Sequence, residues 1–166
     1  MSKAPASEEV RPNTETGAEG RILAIDLGER RMGLALSDPL RLTAQGLPTV
    51  ERRNRREDMN YLKSLARRND VSLIVVGNPI NMDGTLGAQS AAASEFGSKL
   101  HKHLQMDVRL WDERLTSVEA NRILRESGLR REERAKSVDQ VAAVLLLESF
   151  LEAQRVAAPS GPARDE

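Results

Sequence analysis

The sequence predicts an α/β fold in which a mixed five-stranded sheet carries helices on both faces. Two apolar runs, residues 22–25 and 71–76, have the composition of strands that are buried on both sides. The first run continues through a turn at 28–31 into another strand-like run, and the two together predict a hairpin. Helical patterns then alternate with strands, which is the order expected of parallel strands joined by crossover helices.

The predicted order of elements is β-β-β-α-β-α-β-α-α, in which the first three strands form a meander. The strands are apolar runs bounded by turn residues, and the helices have apolar residues at helical spacing. The first seven elements are predicted at 22–27, 32–37, 43–50, a helix ending at 68, 71–77, 88–104 and 106–111. Capping-box patterns at Thr116 and Ser137 predict the starts of two more helices, the last running from 138 to about 153.

The composition predicts one soluble domain in the cytoplasm. The chain has 166 residues and a formal net charge of +0, so it has no overall attraction to nucleic acid or membrane. The absence of cysteine excludes disulfides, thiolate nucleophiles and cysteine-based zinc sites. No segment resembles a signal peptide or a membrane span. We expect a folded domain at 20–155 between disordered tails at 1–19 and 156–166, which are rich in small and charged residues.

Acidic residues stand at the ends of three predicted elements. Asp26 ends the first strand, Asp112 and Glu113 follow the fifth strand, and Asp139 opens the last helix. Chemistry in open sheets gathers at the carboxyl ends of the central strands, so these acids are candidates for one pocket. Carboxylate oxygens select Mg²⁺ or Mn²⁺, and two such ions about 4 Å apart activate a water and stabilise the leaving oxygen of a phosphodiester.

Every one of these acids except Asp26 also has a simple structural explanation. Asp139 at a helix start would be favoured by the helix dipole and by free N–H groups. Asp112 or Glu113 could pair with a neighbouring arginine at the surface. Asp26 follows an apolar run, where a carboxylate without a partner is costly, so it calls for a cation. The spacing of the acids by itself leaves a metal site and ordinary pairing equally open.

Substrate contacts are predicted at a turn, a loop and a basic segment. Gly28 allows a phosphate to approach closely, although it also suits a plain turn. Asn81 and Asp83 lie in a polar loop, in which Asp83 and Gly84 equally make an ordinary turn. The segment before the first helix could bind a phosphate backbone through Arg52, Arg53, Arg55 and Arg56. The alternative there, and the preferred interpretation for residues 122–136, is a solvated face with ion pairs.

Four short motifs have the residues and order of a known family. The first is Asp26-Leu27-Gly28 followed by Arg31 and Gly33. The others are VGNPINMDG at 76–84, DERLTSVEA at 112–120 and KSVDQVAA at 136–143. Together they resemble the YqgF/RuvX family of pre-16S rRNA nucleases, also called Holliday junction resolvase-like proteins, over about residues 21–152. Asn78 departs from the pattern, because the family usually has an apolar residue there.

The resemblance implies an RNase H-like fold, in agreement with the predicted order of elements. It implies that Asp26, Glu113 and Asp139 hold Mg²⁺ or Mn²⁺ for phosphodiester hydrolysis, with Asp112 as the alternative to Glu113. It further implies cytoplasmic maturation of the 5′ end of 16S rRNA, with the precursor in the pre-ribosome as the partner. The motif residues that we also expect at the substrate are Arg31, Arg114 and Lys136.

Three other functions fit parts of the pattern. Cleavage of branched DNA uses the same chemistry, but a resolvase needs two active sites in a symmetric dimer, so a strict monomer would weigh against this function. The sequence leaves open whether the chain is a monomer or a homodimer. Sugar kinases and actin-like ATPases use a similar Asp-x-Gly hairpin, yet the chain lacks a duplicated domain to close over ATP. The last alternative is a non-catalytic nucleic-acid-binding module for ribosome assembly. No membrane partner is expected.

Overall fold

The computed structural model describes residues 20–80, 83–113, 116–126, 128 and 131–157. Five strands form one sheet in the order β3-β2-β1-β4-β5. The meander pairs are antiparallel, whereas β4 runs parallel to both β1 and β5, which confirms the predicted mixed sheet. The elements are β1 (Arg21–Leu27), β2 (Arg31–Ser37), β3 (Ala44–Glu51), α1 (Arg55–Arg68), β4 (Val71–Asn78), α2 (Ala88–Leu104), β5 (Asp107–Asp112), α3 (Thr116–Glu126) and α4 (Arg131–Ala157).

Successive side chains of the strands point to opposite faces of the sheet, so the core has two layers. Leu23 and Ile25 of β1 pack with apolar side chains of α1 and α2, among them Phe96. Ile22 of β1 belongs to the other layer, where it packs with side chains of α4 such as Phe150. Because successive strand residues point to opposite faces, the helices cover both faces of the sheet, as the sequence predicted.

The last helix begins earlier than the sequence pattern indicates. α4 starts at Arg131, so the prediction that Ser137 caps it is wrong. Residues 131–136 are strong helix formers, and the helix continues through them because a local capping pattern does not by itself stop a helix. Asp139 therefore lies inside the helix, and its explanation as a helix-start acid no longer applies. The other capping pattern coincides with the start of α3 at Thr116.

Helix α4 lies directly on the backbone of the sheet where the strands have glycine. A Cβ atom on Gly33 of β2 would overlap the carbonyl oxygen of Asp139. A Cβ atom on Gly46 of β3 would come within 2.7 Å of Cγ of Gln140. The absence of these two side chains lets the helix backbone approach the sheet, which brings Asp139 to the level of β1 and β2.

Trp111 packs against α4 and is part of the apolar layer on that face of the sheet. Its ring makes an edge-to-face contact with Phe150 at a centroid distance of 5.2 Å. Its indole N–H donates a hydrogen bond to Oγ of Ser149 over 3.1 Å. The side chain is committed to the interface between sheet and helix rather than presented as a stacking surface.

None of the helices in the described part of the chain is both long enough and apolar enough to cross a membrane. Of the tails predicted at 1–19 and 156–166, residues 1–19 and 158–166 lie outside the described residues. Helix α4 runs to Ala157, so residues 156 and 157 are helical and not part of a disordered tail.

Replacing Gly33 by Ala is expected to lower the free energy of unfolding by about 1–3 kcal/mol, because the new methyl group overlaps the α4 backbone. Gly97→Ala is the matched control. Its Cβ would find ordinary contacts at 3.5 Å, and alanine favours the helix, so this change should be neutral or stabilising. Urea denaturation of both variants measures the difference. Equal stabilities would contradict the packing described for α4.

Candidate active site

Asp26 lies at the carboxyl end of β1 between two glycines on the neighbouring strands. It pairs with Gly33 of β2 in the antiparallel register. On the other side, Ile25 pairs with Val76, so Gly77 is the next residue beside Asp26 on β4. Asp26 continues the side of β1 that faces α4. Neither neighbour has a side chain, so the space around the Asp26 carboxylate is left to groups from elsewhere in the chain.

Glu113 fills the space over Gly77. A Cβ atom on Gly77 would overlap Oε2 of Glu113 and lie 3.1 Å from its Cδ. The main-chain N–H of Glu113 donates a hydrogen bond to the carbonyl oxygen of Asn78 over 3.2 Å. Its carboxyl group is hydrogen-bonded to Asp26. The carboxyl groups of strands β1 and β5 thus meet across β4, as the convergence of strand ends predicted.

Asp139 comes to the same place from the helix above the sheet. Its carbonyl oxygen lies over Gly33, which itself pairs with Asp26. Its carboxylate accepts a hydrogen bond from Nε of Arg31 over 3.0 Å, and 22% of the Asp139 side chain is exposed. Arg31 was predicted to contact substrate; in this structure its guanidinium holds one of the acids.

The electrostatics of the acid cluster show an excess of negative charge in a buried place. Burial, repulsion from Asp26 and the hydrogen bond to Asp26 raise the pKa of Glu113 to about 8. Burial also raises the pKa of Asp26, although the hydrogen bond with Glu113 opposes the shift. Two carboxyl groups in such contact share one proton, with protonated Glu113 donating to the Asp26 carboxylate. Burial raises the pKa of Asp139 as well, and Arg31 counteracts it.

The donor set fits a divalent cation. Asp26 and Glu113 offer hard oxygen ligands that are held together against their own repulsion, and a cation would compensate that charge. Among the described residues, no three His, Cys, Asp or Glu side chains are gathered closely enough to hold a metal ion by themselves, and the Asp139 carboxylate is paired with Arg31. Mg²⁺ commonly uses one or two carboxylates together with water and substrate phosphate, so the pair is a sufficient base for such a site.

The acids line an open cleft of about 450 Å³. One wall carries the three carboxylates, and the start of α2 supplies Ala88 and Gln89 to the lining. The N-cap of α2 is Gly87, which has no side chain to cap the helix, and the first turn of that helix has no acidic residue. The cleft is open to solvent, which suits a polymer strand better than a small enclosed ligand.

Arg52 is the basic side chain that lines this cleft in the described part of the chain. Its Nη1 donates to the carbonyl oxygen of Gly28 over 2.9 Å, and its Nε lies 3.7 Å from the buried carboxylate of Asp58. Its guanidinium carbon sits 5.8 Å from the centre of the Phe96 ring. These contacts fix a positive charge beside the acids at the turn between β1 and β2.

The remaining predicted contacts are dispersed. Gly28 lines the cleft and forms the tight turn, since a Cβ there would lie 2.7 Å from the carbonyl oxygen of Arg31. Asp83 accepts hydrogen bonds from Thr85 in an exposed turn. Arg53, Arg55 and Arg56 are exposed around the start of α1, and Arg55 lies 3.5 Å from Glu95. The side chain of Lys136 and the residues Asn81 and Arg114 lie outside the described part.

Asp112 is the last residue of β5, and it differs from Glu113 in its position relative to the cleft. Glu113 lines the cleft, whereas Asp112 is absent from its lining and faces the other side of the strand end by alternation. Asp112 still contributes to the raised pKa of Glu113 by repulsion. Glu113 is therefore the better placed of the two to act as a ligand.

Two site features were not singled out from the sequence. Gly77 leaves the room that the Glu113 carboxyl occupies. A glycine near the end of an apolar strand could have indicated such a close approach. Asp58 is 4% exposed and binds both Arg52 and the N–H of Arg53. No pattern distinguished Asp58 from an ordinary acid in the first turn of a helix.

The raised pKa of Glu113 predicts how stability depends on pH in the absence of metal. The folded state holds a proton on Glu113 up to about pH 8, whereas the unfolded chain releases it near pH 4.5. Folded protein therefore binds more protons in this window, and the free energy of unfolding falls as pH rises, by at most about 1.4 kcal/mol per pH unit. Glu113→Gln should remove most of this fall. Urea denaturation of wild type and Glu113→Gln at several pH values from 5 to 8 measures the free energy of unfolding. If it changes with pH in the same way for both proteins, the carboxyl pair is contradicted.

Comparison with known proteins identifies the family of the chain and agrees with the fold. A family model described as RuvX, Holliday junction resolvase, matches residues 20–153. A protein of Koribacter versatilis named "Putative pre-16S rRNA nuclease" is 48% identical over 137 residues, which cover 82% of this chain and 90% of the relative. A protein of the same name from Clostridium acetobutylicum is 46% identical over 79% of this chain and 97% of the relative.

A solved structure shares the fold at low sequence identity. The fowlpox virus resolvase in complex with Holliday junction DNA has a TM-score of 0.50 and 10% identity over 81% of this chain and 98% of the resolvase. Thermus thermophilus RuvC in complex with a Holliday junction has a TM-score of 0.48 and 15% identity over 82% of this chain and 96% of RuvC. The sheet order and the resolvase likeness are those of an RNase H-like fold. Because the family model matches residues 20–153 and relatives are almost half identical, the chain belongs to the RuvX (YqgF) family.

Proposed function

We propose that the protein is a divalent-metal-dependent nuclease that hydrolyses phosphodiester bonds at the 5′ end of precursor 16S rRNA in the cytoplasm. The observation that carries the proposal is the pair of carboxyl groups from Asp26 and Glu113 at the carboxyl end of the sheet, in an open cleft. Membership of the RuvX family supports nucleic acid as the substrate class. The names of the relatives support the ribosomal precursor as the substrate.

The three acids share one task in this proposal. Asp26 and Glu113 would hold Mg²⁺ or Mn²⁺, with Asp139 from the same cleft as the third ligand, and the ion would supply an activated water and neutralise charge on the phosphodiester. Glu113 releases the proton that it shares with Asp26 before its carboxylate can serve as a ligand. Arg31 keeps Asp139 ionised and oriented, since it opposes the effect of burial on the pKa of that carboxyl.

Substrate phosphates are proposed to lie along the basic side of the cleft. Arg52 is half-buried and held in place, so it can meet a phosphate without losing side-chain freedom, which lowers the cost of binding. The exposed Arg53, Arg55 and Arg56 continue the positive charge outside the cleft. Contacts that read no base suit a substrate recognised by its shape. The further proposed contacts are Gly28, Arg31, Asn81, Asp83, Arg114 and Lys136.

Cleavage of branched DNA is the second candidate. The description of the matched family model as Holliday junction resolvase favours it, and the chemistry at the acids would be the same. The two substrates differ in the assembly required, because symmetric cutting of a four-way junction needs two sites related by a two-fold axis. The assay below therefore includes both substrates.

Purified protein is expected to cut a 5′-extended 16S rRNA precursor in the presence of Mg²⁺ or Mn²⁺, and Asp26→Asn should reduce the rate by at least about 100-fold. The asparagine keeps the shape of the side chain but removes the charge that binds a cation. Gel analysis of the products, with and without EDTA, measures the cutting. Asp107→Asn is the matched control, because Asp107 is an exposed strand residue outside the cleft.

The outcomes separate the candidates. Cutting confined to a mobile four-way DNA junction would favour the second candidate. Equal cutting by wild type and Asp26→Asn would mean that the acid cluster is not the site. Absence of cutting on both substrates would favour a non-catalytic binding module for ribosome assembly.

Gly77→Ala should lower kcat by about 10-fold or more while the fold is retained. The added methyl group occupies the place of the Glu113 carboxyl, and that carboxyl can move aside because it ends a flexible side chain. Gly97→Ala, which adds the same methyl group in ordinary contact, is the control for a glycine replacement. Steady-state kinetics with circular dichroism measures both effects. A fully active Gly77→Ala protein would show that the position of Glu113 is immaterial.

A further inference from the structure

We propose that the hydrogen bond between Ser90 and Asn78 positions Glu113, so that Ser90 and Asn78 are positioning residues of the acid cluster. The inference rests on the proposed function only in assigning Glu113 a task at the site. Its structural content, the control of Glu113 by a contact in another element, stands on the geometry alone.

Asn78 connects α2 to Glu113 through two different parts of the same residue. Its side-chain oxygen accepts a hydrogen bond of 2.6 Å from Oγ of Ser90, which is 5% exposed in the first turn of α2. Its main-chain oxygen accepts hydrogen bonds from the N–H groups of Ile80, at 2.9 Å, and Glu113, at 3.2 Å. The side chain of Asn78 is therefore hydrogen-bonded to α2, while its main chain is hydrogen-bonded to Glu113.

The position of Asn78 at the end of a strand gives this anchor its importance. The last registered pair between β4 and β5 is Asn78 with Asp112, and Glu113 is the next residue after β5. Strand ends open more readily than strand centres, because they have fewer neighbours to hold them. The bond from Glu113 N–H to Asn78 is the continuation of the ladder past that end, and the contact with Ser90 holds its acceptor against α2.

The same contact also joins the two walls of the cleft. Glu113 belongs to the wall formed by the sheet, and Ala88 and Gln89, directly before Ser90, belong to the wall formed by α2. A tether between Asn78 and Ser90 therefore fixes the separation of the acid from the opposite wall. Loss of the tether would leave the acid present but less precisely placed, and such displacements reduce the rate of the chemical step rather than the binding of a long substrate.

Asn78 and Ser90 form a matched polar pair between the end of β4 and the first turn of α2. A buried hydroxyl or amide without a partner is costly, so changing one member harms the other. Replacement of both members by apolar residues of similar shape can be nearly neutral. The pair therefore offers a reciprocal test: each single change should loosen Glu113, and the double change Asn78→Leu/Ser90→Ala should restore its position.

The first arm of the experiment measures hydrogen exchange of the Glu113 amide by NMR in the metal-free protein. Ser90→Ala is expected to accelerate exchange at Glu113 by about fivefold to tenfold, the effect of losing one hydrogen bond, and to leave the central strand amide of Val75 unchanged. Ser98→Ala is the matched control, because Ser98 is exposed on the same helix. Exchange at Glu113 within about twofold of wild type in Ser90→Ala, or equal acceleration in Ser98→Ala, would overturn the proposal.

The second arm measures steady-state kinetics on the substrate that the wild-type protein cuts. Ser90→Ala and Asn78→Leu should each lower kcat about fivefold with KM unchanged, and the double variant Asn78→Leu/Ser90→Ala should recover both kcat and the protection of the Glu113 amide. A double variant worse than either single variant would overturn the proposal. If wild type cuts no substrate, the proposed function fails, while the exchange arm still decides whether Ser90 positions Glu113.

Discussion

The candidate site and the elements that support it are organised around one contact, the hydrogen bond between the carboxyl groups of Asp26 and Glu113. Burial of the carboxyl group and its repulsion from Asp26 raise the pKa of Glu113, so holding the two groups together is costly. Apolar side chains of similar volume would give equal or greater stability at these two positions, so stability does not explain the pair. Groups with strongly perturbed pKa values in a cleft are typical of functional sites, because the perturbing arrangement is kept for its chemistry.

The contact is possible because the sheet has no side chains on either side of Asp26. Gly77 leaves room for the Glu113 carboxyl, and Gly33 leaves room for the backbone of α4 at Asp139. Close packing in protein interiors makes such room scarce, since a single methyl group is enough to displace a neighbour. The two glycines therefore matter because they have no side chain, not because their backbone is flexible. Their φ angles do not lie in the left-handed region that only glycine adopts easily.

Two arginines hold the turn that connects β1 and β2 from opposite sides. Arg31 leaves the turn toward α4 and pairs with Asp139. Arg52 comes from the segment before α1, donates through its side chain to the carbonyl of Gly28 and through its main chain to the carbonyl of Arg30. Both sheet faces are thus tied to the turn beside Asp26. A rigid support of this kind is what places catalytic groups with the accuracy that chemistry requires.

The local sequence was sufficient to predict the strands, the meander, α2 and the α/β class. These features follow from hydrophobic period and turn residues, which act over a few neighbours in the chain. The same information placed Asp26 in the site, because a carboxylate after an apolar run has no local explanation. It misjudged the start of α4, since the capping pattern at Ser137 competes with helix formers on its N-terminal side, and propensity and packing over a whole helix outweigh one local motif.

The tertiary structure decided which acids meet and what holds them. The choice of Glu113 over Asp112 depends on which face of the strand end each side chain takes, and the roles of Gly77, Arg52 and the Ser90–Asn78 contact depend on residues far apart in the chain. No sequence pattern encodes these contacts, because they arise only when β4, β5, α2 and α4 are packed together. The sequence alone determined the elements and the candidate acids; packing alone determined the distances between them, and short-range electrostatics depends on those distances.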